Sequence, residues 1–227
     1  MRLMTNGIVG AEPTPKYDDW HNFMKISTRD RMIAGAADLL RRKGMTATSM
    51  REIVRHSNTP RGSIAHHFPG GKRQLLEAAV DHAGREVSEP LALLLSSKGP
   101  VEGLERFVDR WRQALEDTAF QAGCAVLAVA VEHYVSDQRG ESESELERQV
   151  QRQLLDQAHG IFTQWQAIIV RALTDAGVAP TRAHSLALLT IAAIEGSVAL
   201  CRAARSTAPL DVIWQELKQT LEQALAV

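Results

Sequence analysis

Apolar residues recur along this chain at helical spacing, and each run opens or closes on a local start or stop signal. Ser27, with Asp30 three residues on, is a capping arrangement, and Met32, Ile33, Ala36, Ala37 and Leu40 follow as one face until Gly44 stops the helix. Ser49-x-x-Glu52 repeats the capping spacing ahead of Met50, Ile53 and Val54. Asn58 tolerates a left-handed helix end and Pro60 suits a first turn, so a further short helix is expected over about 60–67, closed by Phe68-Pro69-Gly70-Gly71.

A longer helix is expected from Lys72 to about Ser97, with Pro90 a candidate kink. It is followed by the pattern Val101, Leu104, Phe107, Val108, Trp111, Leu115 and by the compact run Cys124–Val131. A charged loop at Gln138–Glu143 precedes Ser144-x-x-Glu147 and a long helix that ends near Gly177. Two Ala- and Leu-rich helices, about 181–205 and 210–226, complete the chain. No segment keeps period-2 alternation, so the chain is expected to be all-α, with about nine helices. Residues 1–24 carry turn signals at Asn6-Gly7, Pro13 and Pro15 without any period and read as a loose extension, Met24 being a second candidate start. Residues 25–72 then form a three-helix module with helix-turn-helix character, and residues 73–227 a larger helical domain.

Composition narrows the class. With 44% hydrophobic and 23% charged residues, the 227-residue chain reads as an ordinary globular protein. No apolar run is expected to reach the roughly 18–20 residues of a membrane span, and the N-terminus lacks a signal-peptide core, so no membrane partner and a cytoplasmic location are expected. Cys124 and Cys201 fall in apolar patterns, as buried reduced thiols would, and neither a metal nor a cofactor is expected. The net charge of −1 conceals an asymmetry: residues 25–73 hold 11 Lys/Arg against 3 Asp/Glu, a balance of +8, which leaves −9 for the rest. A basic module on an acidic body suits a polyanionic partner, with a solvated basic face as the alternative. GxSxG and HExxH are absent, and FPGGKR lacks the glycine and hydroxyl of a phosphate-binding loop, so no enzyme is expected.

The second and third short helices have the division of labour that double-stranded DNA binding needs. Ile53 and Val54 pack, Asn58 turns, and Arg61, Ser63 and His66 point outward as candidate readers, while Ile64 and Phe68 anchor the inner side. Arg61 suits bidentate contact with guanine, or is simply a solvated helix-terminal cation. Gly62 permits close approach to DNA. Thr48, Ser49, His67 and Lys72, with the amides of Gly71-Lys72, are candidate phosphate contacts, although Ser49 caps its helix in any case. Arg29 and Pro60 complete the expected DNA-binding set.

Gly44, Thr48, Ile53, Gly62, Ser63, Ile64, His66-His67-Phe68-Pro69, Lys72 and Leu75 together resemble the signature of the TetR-type transcriptional repressors. PRGSIAHHFPGGK, with GCAVLAVAVE at 123–132, resembles the LmrA/YxaF-like branch, which represses multidrug-resistance genes and responds to flavonoid-like aromatic compounds. Ala65 departs from the aromatic residue usual at its position, and Asn58 from the usual Gly.

The resemblance implies a repressor that binds a palindromic operator as a homodimer and is released by a small apolar or aromatic effector. It places Phe107, Trp111, Cys124, Phe162 and Trp165 around a central cavity, and implies a four-helix dimer interface made by the last two helices. Glu195, alone in an apolar stretch, is a polar anchor for the ligand or an interface residue. Ala192, Ala193, Gly196, Ser197 and Ala199 allow close helix packing, and Ile213, Leu217 and Leu221 form an apolar stripe. The rival reading is a helical protein-interaction adaptor with no DNA binding.

Overall fold

The computed structural model describes residues 27–135 and 145–226. The N-terminal extension, the loop at 138–143 and the Ser144 start signal lie outside these residues. Among the described residues all regular structure is helical: α1 (Thr28–Lys43), α2 (Met50–His56), α3 (Ser63–His67), α4 (Gly71–Lys98), α5 (Pro100–Asp117), α6 (Ala125–Val131), α7 (Glu145–Asp175), α8 (Pro180–Ala204) and α9 (Ala208–Leu225).

The local signals explain the first turns. The Ser27 hydroxyl accepts from the Asp30 amide at 3.1 Å and Ser49 from the Glu52 amide at 3.2 Å, each satisfying an orphan donor at a helix start. Asn58 sits in the left-handed region with φ 50°. The third helix begins later than expected, at Ser63, because Pro60, Arg61 and Gly62 form a tight turn in which the Pro60 carbonyl accepts from the Ser63 amide at 3.1 Å. α4 runs through Pro90 without ending.

α4 is the spine of the molecule. It packs on α1 at one end and along α5 and α7 over the rest, while α8 lies between α7 and α9. α4 and α5 fold back on each other at Gly99 (φ 77°), and Gly103 brings their backbones together: a Cβ there would lie 2.8 Å from the Leu94 carbonyl oxygen. The core is continuous from Met32 and Phe68 in the N-terminal helices to Trp214 and Leu221 in α9.

By length and composition α8 is apolar enough to cross a bilayer, contrary to the expectation that no apolar run reaches that length. It instead buries one face against its neighbours and carries Glu195, the one buried acid among the described residues. Burial pushes the Glu195 carboxyl from 4.5 to about 7. Folded protein therefore holds this proton more tightly than unfolded protein does, and stability present at low pH is lost as pH rises across that interval.

Gly103→Ala should destabilise the full chain by about 1–3 kcal/mol in urea titration, because the clash is with backbone that cannot rotate away. An unchanged midpoint would show that the two helices do not meet there. Relative to Glu195→Gln, the wild-type protein should lose on the order of 3 kcal/mol of stability between pH about 5 and 8. A difference that does not vary with pH would contradict the burial of an ionisable carboxyl group.

Candidate functional site

The N-terminal helices separate buried anchors from an exposed face. Ile53, Val54 and Phe68 are buried and Ile64 half-buried, so α2 and the inner side of α3 are held by apolar contact with the core. The turn between them is closed by Ser57, whose hydroxyl donates to the Ile53 carbonyl at 2.7 Å and lies 2.9 Å from the Thr59 hydroxyl. Gly35 lets α1 approach this turn, since a Cβ there would stand 2.9 Å from Ser57 Cβ. With the inner side occupied, Pro60, Arg61, Gly62, Ala65 and His66 are exposed, and Ser63 and His67 half-buried beside them. The rings of His66 and His67 meet edge to face at 4.8 Å. Arg29 lies over the Phe68 ring at 5.4 Å, joining the start of α1 to the end of α3.

Ion pairs show which cations are already engaged. Arg41 pairs with Glu86 at 2.5 Å, Arg42 with Asp38 at 2.8 Å, and Lys43 and Arg55 both with Glu52 at 2.6 and 2.7 Å. The Lys43 hydrogen bond, with Arg55 beside it, holds the Glu52 carboxyl below its usual range against a smaller opposing effect of desolvation. Arg73 pairs with Glu77 at 3.0 Å. Among the described residues of the basic segment, Arg29, Arg31, Arg51 and Arg61 have no ion-pair partner, Arg29 instead lying over the Phe68 ring. Arg51 was missed by the motif reading, although it lines the same surface hollow as Ser49 and Arg61. Its signal was the local charge count, which cannot tell engaged from free cations.

Two expected phosphate contacts are not on this face. Thr48 is buried and donates its hydroxyl to the Gly44 carbonyl at 2.7 Å. Lys72 is buried too; its ammonium donates to the Val135 carbonyl at 2.8 Å and lies 5.6 Å from the Tyr134 ring centre. The Gly71 amide is likewise committed, donating to the Phe68 carbonyl at 2.9 Å. Ser49 retains its capping role and is half-buried.

The segment that takes up Lys72 is a strap following α6. The Glu132 carboxylate accepts from the Thr46 amide at 3.1 Å, and the Thr46 hydroxyl donates to the His133 carbonyl at 3.3 Å. Glu132 fits so closely against Gly44 (φ 78°) that a side chain at Gly44 would overlap it. At its other end α6 starts at Cys124, whose sulfur accepts from the Leu127 amide at 3.4 Å. One short helix therefore connects the α1–α2 turn to the interior of the larger domain.

That interior holds a cavity of about 250 Å³ walled by Phe107, Trp111, Leu115, Cys124 and Val126, with Asp38, Arg41, Glu86 and Arg110 also lining it. A smaller hollow of about 20 Å³ shares Phe107, Trp111 and Val87 with it and reaches Trp165, Ile194 and Glu195. Burial, and secondarily the Glu195 charge, pushes the Cys124 thiol well above its ordinary range. Five of the six expected cavity residues thus gather around these two spaces. Phe162 does not line either; it packs edge to face on Trp165 at 5.2 Å and only supports the wall.

Comparison with known proteins accords with this geometry. Residues 32–79 match the model for bacterial regulatory proteins of the tetR family, and residues 100–216 that for the C-terminal domain of LmrA/YxaF-like transcriptional regulators. An uncharacterized HTH-type transcriptional regulator of Mycobacterium tuberculosis is 36% identical over 193 residues, covering 85% of this chain and 93% of that protein. The HTH-type transcriptional regulator LmrA of Bacillus subtilis is 24% identical, covering 81% and 90%. In fold, a TetR transcriptional regulator from Legionella pneumophila superposes with a TM-score of 0.70 at 23% identity, over 87% of this chain and 99% of that one. One from Chloroflexus aurantiacus gives 0.66 at 27% identity, over 86% and 94%. The chain accordingly belongs to the TetR family of DNA-binding transcriptional regulators, in the branch with an LmrA/YxaF-like C-terminal domain.

Proposed function

We propose that this regulator is a repressor that binds a palindromic operator as a homodimer in the cytoplasm and is released by a small apolar or aromatic effector. The observation that carries the reading is the exposed surface formed by the Pro60–Gly62 turn and the outer side of α3, where Arg61 stands without an ion-pair partner beside the buried anchors Ile53, Val54 and Phe68. Arg61, Ser63 and His66 are the base readers, and Arg29, Ser49, Pro60, Gly62 and His67 frame them, with Arg51 added as a phosphate contact. Thr48 and Lys72 support the surface from within.

The homodimer is supported by an unpartnered apolar face on the last two helices. Leu188, Leu189 and Leu200 of α8 and Val212 and Ile213 of α9 are exposed, with Ala192, Gly196 and Ala199 between them. Leu217 and Leu221, expected on that stripe, are buried in their own protomer, and Ser197 is buried as well. A two-fold axis through this face would pair two reading helices and so favour a palindrome.

Release follows from linkage. An effector that prefers a cavity shape incompatible with DNA binding must lower DNA affinity by the same factor with which DNA lowers effector affinity. α6 is the proposed route, because it contacts the cavity through Cys124 and the α1–α2 turn through Glu132.

With an operator obtained by genomic selection of bound fragments, Arg61→Ala should weaken operator binding by about 1–3 kcal/mol, and random DNA far less. Equal loss on both would reduce Arg61 to a phosphate contact. Aromatic compounds that quench Trp111 or Trp165 fluorescence should also dissociate the operator complex in a gel-shift titration. Quenching without dissociation would remove the cavity from the switch.

A further inference from the structure

Glu195 is enclosed, and among the described residues no cation balances it. The residue is 7% exposed, and among the described residues its Oε2 atom has no hydrogen-bond partner and the Cys124 thiol is the one polar side chain bonded to its carboxyl group. A thiol is a weak donor, and burying a carboxylate costs several kcal/mol unless it is paired. Cys124 lines the larger cavity while Glu195 lines the small hollow, so the carboxyl group stands where the two spaces meet. The hollow, about 20 Å³, has room for one water-sized group. Phe107, Trp111 and Trp165 wall it, and aromatic rings attract cations.

Resting on the effector-cavity reading above, we propose that the cavity selects an aromatic ligand bearing a small primary ammonium group, which enters the hollow against Glu195 while the ring lies between Phe107 and Trp111. An ammonium offers three donors and the missing charge, and its hydrogen bond to a carboxylate is stronger than that of a neutral donor. An anionic ligand would meet Glu195 unfavourably, and a quaternary ammonium is too large for the hollow. Arg41, Arg110, Asp38 and Glu86 on the outer cavity balance in sign, which leaves Glu195 to decide the charge preference.

The test is isothermal titration of the full-length protein at pH 8 with four probes of one aromatic skeleton. They are 1-naphthylmethylamine, 1-naphthylmethanol, 1-naphthoate and trimethyl(1-naphthylmethyl)ammonium. The amine should bind about tenfold or more tightly than the alcohol, and the other two more weakly than the amine. In Glu195→Gln the amine and the alcohol should bind within about threefold of each other, with the alcohol little changed. Equal binding of amine and alcohol to the wild-type protein would overturn the charge preference and leave the cavity reading intact. Equal binding of the primary and quaternary amines would overturn the placement in the hollow. Binding of none of the four would overturn the cavity reading and this inference with it.

Discussion

The DNA-reading face proposed for this regulator depends on the seating of a five-residue helix by a phenylalanine. A single helical turn cannot sustain itself in water, since nucleation costs more than one turn of hydrogen bonds returns. α3 persists because Phe68, 1% exposed, and Ile64 tie its inner side to the core, and because the Ser57–Thr59 turn fixes its angle to α2. Only with that side occupied does the opposite side turn Arg61 and His66 to solvent. Fully burying a large apolar side chain contributes roughly 1.5–3 kcal/mol, a modest but sufficient hold for one turn.

The same economy governs charge. A strongly basic segment would be an indiscriminate phosphate binder if all its cations were free, yet Arg41, Arg42, Lys43, Arg55 and Arg73 are paired within the protein. Lys72 serves the strap after α6 rather than the surface. The cations left without ion pairs among the described residues of this segment, Arg29, Arg31, Arg51 and Arg61, lie at the start of α1, on α2 and in the turn before α3. The pairings of Arg41 with Glu86 and of Thr46 with Glu132 also join the N-terminal helices to the larger domain, so a shift of α6 at its cavity end has polar contacts through which to act.

Local features were the legible ones. Ser27, Ser49 and Asn58 act within three or four residues of themselves, and their helix boundaries follow directly. Pro60 was misleading because a proline suits a tight turn as well as a helix start. What stayed hidden depends on distant partners: nothing near Lys72 announces a carbonyl 63 positions later, and the periodicity of Leu217 and Leu221 cannot say whether they face their own core or a second copy. Phe162 and Trp165 are equally aromatic and near one face of α7, but only Trp165 reaches the small hollow while Phe162 packs behind it, a difference that helical spacing alone does not reveal.

Operator affinity measured as a function of salt decides whether the face around α3 binds DNA through phosphate neutralisation and base contact. Log affinity should fall linearly with log salt concentration, with a slope of about −0.9 for each phosphate neutralised, and the fall should be steep. Affinity that does not change with salt, or no DNA binding at low salt, would contradict it and leave a helical adaptor whose basic face is incidental.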